Sequence, residues 1–145
     1  MNAQEMYPEF FGEITMLYVN VKVNKNPVQA FVDSGAQSTI ISKQCAEKCG
    51  IINMMDTRFA GMAVGVGSSR ILGRIHMADL EICGTVLPST FTVLEDNKVD
   101  LLFGLDNLKR HQCCIDLVTN SLHLKNGEIS CKFLGEGEIS KKTLA

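Results

Sequence analysis

The sequence has no cluster of basic residues and no long apolar run, and these two absences exclude whole classes of function. The formal net charge is −2, so the basic surface that binds nucleic-acid phosphates is missing. No apolar stretch approaches the roughly 20 residues that a membrane-spanning helix needs. The opening stretch MNAQEMYPEFFGEI carries acids and no basic residue, which does not fit a secretory signal. We therefore expect neither a nucleic-acid nor a membrane partner.

The six cysteines also lack the spacing of a zinc site. Cys45 and Cys49 are one helical turn apart with no histidine nearby, and Cys113 and Cys114 are adjacent, so paired short-spaced ligands are absent. With 145 residues, the chain can form a core without a disulfide framework. Reduced and mostly buried thiols are the better interpretation. We expect no metal, no organic cofactor and a cytoplasmic location, with the nucleus as a second compartment.

Short apolar runs that alternate with polar residues make up most of the chain. In the run 14–23, Leu17, Val19, Val21 and Val23 share one face, as in a half-buried strand. The pattern predicts a mainly β fold of barrel or sandwich type with two short helices at 42–50 and 105–111. Ser42 can cap the first helix and Gly50 can end it in a left-handed conformation. Asn126-Gly127 predicts a two-residue hairpin turn between two of the closing strands. We expect an N-terminal extension at 1–13, one domain at 14–134 and a flexible C-terminal tail at 135–145.

Three pieces of the sequence could carry chemistry together: FVDSGA at 31–36, the glycine-punctuated hairpin AGMAVGVGSSRI at 60–71, and VDLLFGLD at 99–106. Asp33 stands between two apolar segments, where a lone carboxylate is costly unless it is paired or protonated. Asp-Ser-Gly alone is a common turn, and a glycine-rich hairpin alone is a common hairpin. Their ordered combination is far less expected by chance.

This combination resembles the retroviral-type aspartic proteases, and more closely the protease domain of the DNA-damage-inducible ubiquitin-shuttle family. The stretches AFVDSGAQSTI, GVG, ILGRIH and LLFGLDNLKRHQCCIDL carry the resemblance, which runs from about Ile14 to Phe133. It implies a retropepsin-like acid protease barrel whose active site forms at a homodimer interface. It also implies an aspartic endopeptidase that uses no cofactor.

Roles for individual residues follow from the resemblance. Asp33 is the expected catalytic residue, Ser34 ties the two active-site loops together across the dimer, and Gly35 lets the substrate backbone approach. The resemblance assigns the remaining positions to the active-site loop (Ala36), to the flap over the substrate (Ala63, Val64, Gly65, Val66 and Gly67) and to an apolar pocket beside the scissile bond (Phe31 and Leu102).

An aspartic protease needs two carboxylates, one ionised to activate water and one protonated to polarise the scissile carbonyl. At about 3 Å and an effective dielectric near 20, two such charges repel by about 5 kcal/mol, or about 4 pKa units. The chain holds one Asp-Ser-Gly, and Asp106 is interpreted as a helix-start acid. The sequence therefore predicts a symmetric homodimer with Asp33 contributed by each subunit.

One departure from the viral pattern concerns the dimer. Viral enzymes have an acid after Asp-Thr-Gly-Ala and an arginine after the second motif's glycine, where this chain has Gln37 and Leu105. Both partners of that ion pair are absent, so no charge is left alone. We expect the strands between Cys113 and Phe133 to contribute more of the dimer contacts.

The family resemblance implies ubiquitinated proteins as substrates, and ubiquitin or proteasome contacts through modules outside this chain. Two alternatives remain open. The same dimeric fold could hold an extended peptide without cutting it. The stretch DSGAQS also matches a phosphorylation-dependent degron, in which phosphate on Ser34 or Ser38 would require an exposed and accessible loop.

Overall fold

The computed structural model describes residues 16–62, 70–96 and 98–139. Within them the chain is mostly strand with two short α-helices, so the predicted fold class is confirmed. The elements in chain order are β1 (Tyr18–Val23), β2 (Asn26–Val32), β3 (Ile40–Ser42), α1 (Lys43–Lys48), β4 (Gly61–Met62), β5 (Arg70–Ile82), β6 (Thr85–Leu94), β7 (Leu101–Phe103), α2 (Leu105–Arg110), β8 (Cys114–Asp116), β9 (Ser121–Leu124) and β10 (Ile129–Lys132). Three short 3₁₀ helices lie at Ile52–Met54, Thr57–Phe59 and Glu136–Glu138.

Six strands close into a barrel in the order β1-β2-β7-β3-β6-β5, because β1 also pairs with β5. Most neighbours are antiparallel, but β2 runs parallel to β7, and β3 runs parallel to β6. Parallel neighbours end at the same edge of a sheet. The loop after β2, which carries Asp33, therefore lies beside the turn after β7, which carries Gly104.

The core fills the barrel with the inward side chains of alternating strands. In β1, Val19, Val21 and Val23 are buried while Asn20 and Lys22 are exposed, which confirms the alternation expected from the sequence. The strand begins at Tyr18, so the described part of the predicted strand is shorter than 14–23. Fully buried aromatic rings from β6 and β7, Phe91 and Phe103, occupy the interior.

Helix α1 begins and ends where its local sequence predicts. The Ser42 hydroxyl oxygen accepts a hydrogen bond from the Cys45 N–H at 3.1 Å, which caps the first turn. Gly50 has φ +73°, and Ile51 N–H donates to the Ala46 carbonyl at 3.0 Å. This is the Schellman ending that a glycine after the helix favours.

The terminal sheet has the order β10-β9-β8, and one of its turns differs from the sequence prediction. Asn126-Gly127 predicted a two-residue hairpin turn, but the structure pairs Leu124 with Ile129 and leaves a four-residue loop. The N–H groups of Lys125 and Asn126 donate to the carbonyls of His111 and Gln112 at 2.9 and 3.0 Å. These contacts to the end of α2 hold the wider loop.

The packed chain continues beyond residue 134, where the sequence placed the end of the domain. Leu134 N–H donates to the Tyr18 carbonyl at 2.8 Å, and Ile139, 6% exposed, packs in a small cluster with Tyr18 and Leu134. Residues 135–138 of the predicted flexible tail are exposed, whereas Ile139 packs in this cluster because burying its apolar side chain is favourable. Residues 140–145 lie outside the described residues. None of the helices found in the described ranges is long and apolar enough to cross a bilayer.

Candidate active site

Asp33 lies in the loop that follows β2, where hydrogen bonds on both sides hold the backbone. Its N–H donates to the Phe103 carbonyl of β7 at 3.0 Å, and its own carbonyl accepts from Ala36 N–H at 3.2 Å. The Asp33 carboxylate oxygen Oδ1 accepts from the Gly35 N–H at 2.9 Å. Asp33 is half-buried, and Ser34 and Gly35 are exposed. The carboxylate is therefore oriented at the edge of the barrel rather than inside it.

The first residues of helix α2 hold the same loop in place through backbone hydrogen bonds. Leu105 N–H donates to the Ala36 carbonyl at 2.7 Å, and Asp106 N–H donates to the Gln37 carbonyl at 3.1 Å. Gly104 allows this close approach, since a Cβ there would lie 2.5 Å from the Ser38 carbonyl oxygen. Gly104, the glycine of the LLFG stretch, is therefore required sterically, because any side chain at this position would collide with the active-site loop. Gln37 and Leu105, where viral enzymes carry an ion pair, lie in the two segments that these backbone hydrogen bonds join.

A buried polar network that the sequence reasoning missed joins Thr39, the residue before β3, to β6 and α2 behind the loop. The hydroxyl of Thr39 donates to Asp106 Oδ1 at 2.7 Å and accepts from the Gly104 N–H at 3.0 Å and from Asn107 Nδ2 at 2.8 Å. Asn107 Nδ2 also donates to the Thr90 carbonyl at 2.9 Å. Thr39 and Asn107 are fully buried, and the network satisfies their polar atoms.

This network also settles the interpretation of Asp106. Its Oδ1 accepts from Thr39 N–H at 3.0 Å as well as from the hydroxyl, and it lies in the first turn of α2. Asp106 is the helix-start acid that the sequence predicts, and it also fastens the loop to the helix. The sequence signal for this network consists of two separate pieces: Thr39, a few residues after Asp-Ser-Gly, and Asp106-Asn107, directly after LLFGL. No local sequence pattern shows that these two pieces meet.

The two predicted pocket residues lie side by side. Phe31 of β2 and Leu102 of β7 are direct partners in the parallel pairing, and both are half-buried on the face opposite to the core residues of their strands. Phe31 also contacts the Tyr18 ring, with centroids 5.2 Å apart, so part of its surface covers the small cluster at the chain end. The predicted flap residues Ala63, Val64, Gly65, Val66 and Gly67 lie outside the described residues.

The arrangement can supply an oriented carboxylate next to an apolar surface formed by Phe31 and Leu102. Within the described ranges, no group of three histidine, cysteine, aspartate or glutamate side chains could hold a metal ion. Ser34 is exposed, as a degron would require, but the loop around it is fixed by the hydrogen bonds of Asp33, Ala36 and Gln37. A water molecule activated by Asp33 would need a second group to share the proton.

Comparisons with known proteins agree with this geometry. The family described as Aspartyl protease matches residues 8–116. The DNA damage-inducible protein 1 of Cryptococcus neoformans is 62% identical over 141 residues, which are 97% of this chain and 32% of that protein. The UBA domain-containing protein Mud1 of Schizosaccharomyces pombe is 54% identical over 140 residues, 97% of this chain and 42% of that protein. The chain thus spans between about a third and two fifths of these relatives.

A solved structure gives the same result for the fold. The retroviral protease-like domain of Ddi1 from Leishmania major superposes with a TM-score of 0.81 at 47% identity, covering 88% of this chain and all of that one. The sequence and the fold therefore agree over most of the described residues. The chain belongs to the aspartyl protease family, as a retropepsin-like domain of the DNA damage-inducible protein 1 type.

Proposed function

We propose that the chain is an aspartic endopeptidase that works as a homodimer, with Asp33 of each subunit facing its counterpart. The observation that carries this proposal is the Asp33 loop: a half-buried carboxylate, oriented by Gly35 and braced by β7 and α2, in a member of the aspartyl protease family. The chain has one Asp-Ser-Gly, and Asp106 is engaged with Thr39. A second subunit is the available source of the second carboxylate.

The proposed mechanism follows from two carboxylates that share one proton. Repulsion between them keeps one protonated while the other ionises. The ionised carboxylate takes a proton from water as that water attacks the scissile carbonyl, and the protonated one donates a hydrogen bond to the carbonyl oxygen. Ser34 and Gly35 lie exposed beside the carboxylate, where they can meet the second loop and the substrate backbone. The flap proposed at Ala63–Gly67 would exclude water.

Exposed apolar residues support a homodimer that uses the terminal sheet. Leu117 and Val118, in the turn between β8 and β9, are 70% and 95% exposed. Two such side chains on one turn are costly to leave in water. We propose that this turn and its neighbouring strands lie in the dimer interface.

The substrates proposed are ubiquitinated proteins, with ubiquitin and proteasome contacts made by modules outside this chain. The support is the relative Mud1, whose name records a UBA domain, a ubiquitin-associated module by the resemblance drawn from the sequence. The location proposed is the cytoplasm, with the nucleus as a second compartment, following from the reduced-thiol interpretation. Cleavage of a polyubiquitinated protein compared with its unmodified form by the full-length protein tests the substrate.

The first experiment is cleavage of a fluorogenic peptide library with apolar residues at the cut bond, by the wild type, Asp33→Asn and Asp79→Asn. Asp33→Asn should lose at least about 10³-fold in kcat/KM, because the proton-sharing pair is broken. Asp79→Asn removes an exposed carboxylate on β5 and should leave cleavage unchanged. Equal cleavage by Asp33→Asn and wild type would reject the proposed residue.

The dimer is tested separately by sedimentation equilibrium at rising protein concentration. A monomer well above micromolar concentration contradicts the shared-carboxylate mechanism. A stable dimer that binds the peptides but never cuts them would instead favour the non-catalytic peptide-binding alternative.

A further inference from the structure

The turn between β5 and β6 contains a cysteine in a backbone conformation that cysteine rarely adopts. Cys83 and Gly84 connect the paired residues Ile82 and Thr85, with φ values of +50° and +77°. A two-residue hairpin turn of type I′ requires this left-handed pair and favours Asn, Asp or Gly at both positions. Gly84 fits without strain, whereas Cys83 carries a Cβ against the preference of its backbone. A non-glycine residue held in this conformation is a reason to examine whether its side chain has a function.

The Cys83 thiol lies against β10 of the terminal sheet. Its Sγ donates to the Ser130 carbonyl oxygen at 3.8 Å, which places the Cys83 sulfur beside the peptide group that links Ser130 to Cys131. Cys83 is exposed, whereas Cys131 is 7% exposed and packs in the main core. Burial, together with the contact to Cys83, raises the pKa of Cys131 to about 12. The pair thus combines one accessible sulfur with one shielded thiol.

The other thiols lack this combination. Cys45 of helix α1 and Cys49 at its C-terminal end are both buried, so neither offers an oxidant an accessible sulfur. Cys114 is exposed and Cys113 half-buried, but they are consecutive residues, whose Cα atoms are about 3.8 Å apart, closer than the Cα separation of about 4.4–6.8 Å that a disulfide usually has. A redox-sensing cysteine is accessible and has a resolving cysteine beside it. Only Cys83 meets both conditions among the cysteines, all of which the structure describes.

We propose that Cys83 and Cys131 form a reversible disulfide when the protein meets hydrogen peroxide. The Cys83 thiolate attacks one peroxide oxygen and the O–O bond breaks, which gives a sulfenic acid and a hydroxide that is protonated to water. The Cys131 sulfur then attacks the sulfenic sulfur, loses its proton, and displaces the second water as the S–S bond forms. Two thiols are oxidised by two electrons, and one peroxide is reduced to two waters.

The bond would connect the tip of the β5–β6 hairpin to the terminal sheet. The closed loop of roughly 50 residues contains β6, β7 and α2, and therefore Gly104 and the network around Asp106. Constraining such a loop in the unfolded chain should raise Tm by about 10 °C. In a reducing compartment the bond would be transient, as regulatory disulfides there are.

The test treats the chain with hydrogen peroxide, blocks the remaining thiols in denaturant, and maps peptides without reduction. We expect a Cys83–Cys131 cross-linked peptide, a higher Tm, and loss of both on adding dithiothreitol. Cys83→Asn, which suits the left-handed backbone and should fold well, must abolish both. Cys114→Ser removes another exposed cysteine and should keep both.

A trapping experiment checks the order of the two steps. Cys131→Ser leaves the Cys83 sulfenic acid without a resolving thiol, so dimedone should label Cys83 after peroxide treatment. If wild type gives no Cys83–Cys131 peptide, or if Cys83→Asn keeps the rise in Tm, the proposal is wrong. A cross-link from Cys83 to Cys114 of another molecule in place of Cys131 would also overturn it.

Discussion

Two aspartates, Asp106 and Asp56, each hold a network of hydrogen bonds together, but in opposite surroundings. Asp106 lies behind the active-site loop, and its partners are neutral: the hydroxyl and N–H of Thr39, the hydroxyl of Thr90 and the N–H of Asn107. Asp56 lies at the start of the 3₁₀ helix Thr57–Phe59, where the Arg58 guanidinium and the His76 ring approach it at 2.6 and 2.9 Å.

The difference shows that short distances alone do not measure the importance of a network. The side chains of Arg58 and His76 are 83% and 52% exposed, so water and salt screen their attraction to Asp56. Thr39 and Asn107 are fully buried, and a polar atom left there without a partner costs its full desolvation. We therefore expect the neutral network to determine stability and the charged one to contribute little.

The largest effect should come from Gly104→Ala, which breaks the approach of α2 to the active-site loop. The new Cβ would meet the Ser38 carbonyl oxygen at 2.5 Å and Thr39 N at 2.9 Å. Because these are backbone atoms, no side-chain rotation relieves the contact. We expect about 4 kcal/mol of destabilisation, above the usual range for an added methyl group, measured by urea unfolding at one protein concentration.

Gly137→Ala is the matched control for that substitution. A Cβ at Gly137 meets nothing within 4 Å, so its effect should stay within about 0.5 kcal/mol. If Gly104→Ala lowers the free energy of unfolding as little as Gly137→Ala does, the loop and the helix can move apart at little cost. The contacts between α2 and the active-site loop would then not contribute to stability.

The second effect, about 2–3 kcal/mol, should follow Thr39→Val. Valine keeps the volume but removes the hydroxyl that joins Gly104, Asp106 and Asn107, which leaves their buried polar atoms without this partner. Thr39→Ser keeps the hydroxyl and loses one methyl group, so it should cost less, about 1 kcal/mol. A serine variant less stable than the valine variant would show that packing, rather than hydrogen bonding, matters at this position.

The sequence predicted the parts of the fold that neighbouring residues determine. The alternation in β1, the Ser42 cap and the left-handed Gly50 are local signals, and each was confirmed. Asp33 was recognised because Ser34 and Gly35, which complete the Asp-Ser-Gly signature, follow it directly in the chain, and the Gly35 N–H orients its carboxylate. The catalytic use of these residues remains a proposal.

What the sequence could not predict depends on contacts between distant residues. The Thr39–Asn107 hydrogen bond joins positions 68 residues apart, and Cys83 meets Ser130 across 47 residues. The loop 125–128 took a different form because the end of α2 accepts its N–H groups. In each case the parallel and antiparallel strand pairings determine which residues come into contact. Hydrophobic periodicity in the sequence does not indicate which strands pair.

The smallest effect should come from Asp56→Asn, which removes the charge and keeps an oxygen to accept the Arg58 N–H. At pH 7 we expect a Tm within about 3 °C of wild type, because exposed ion pairs contribute little. Hydrogen bonds from Arg58, then from His76, hold the pKa of Asp56 well below its usual range. Its stabilising effect is therefore complete above the unfolded pKa of about 3.9, and it is lost progressively as the pH falls from that value through the lowered pKa of the folded state. The melting temperatures of the two proteins should keep a constant difference from pH 7 to about pH 5 and begin to approach each other below about pH 4. A drop at pH 7 as large as that of Thr39→Val would remove the contrast between the two networks.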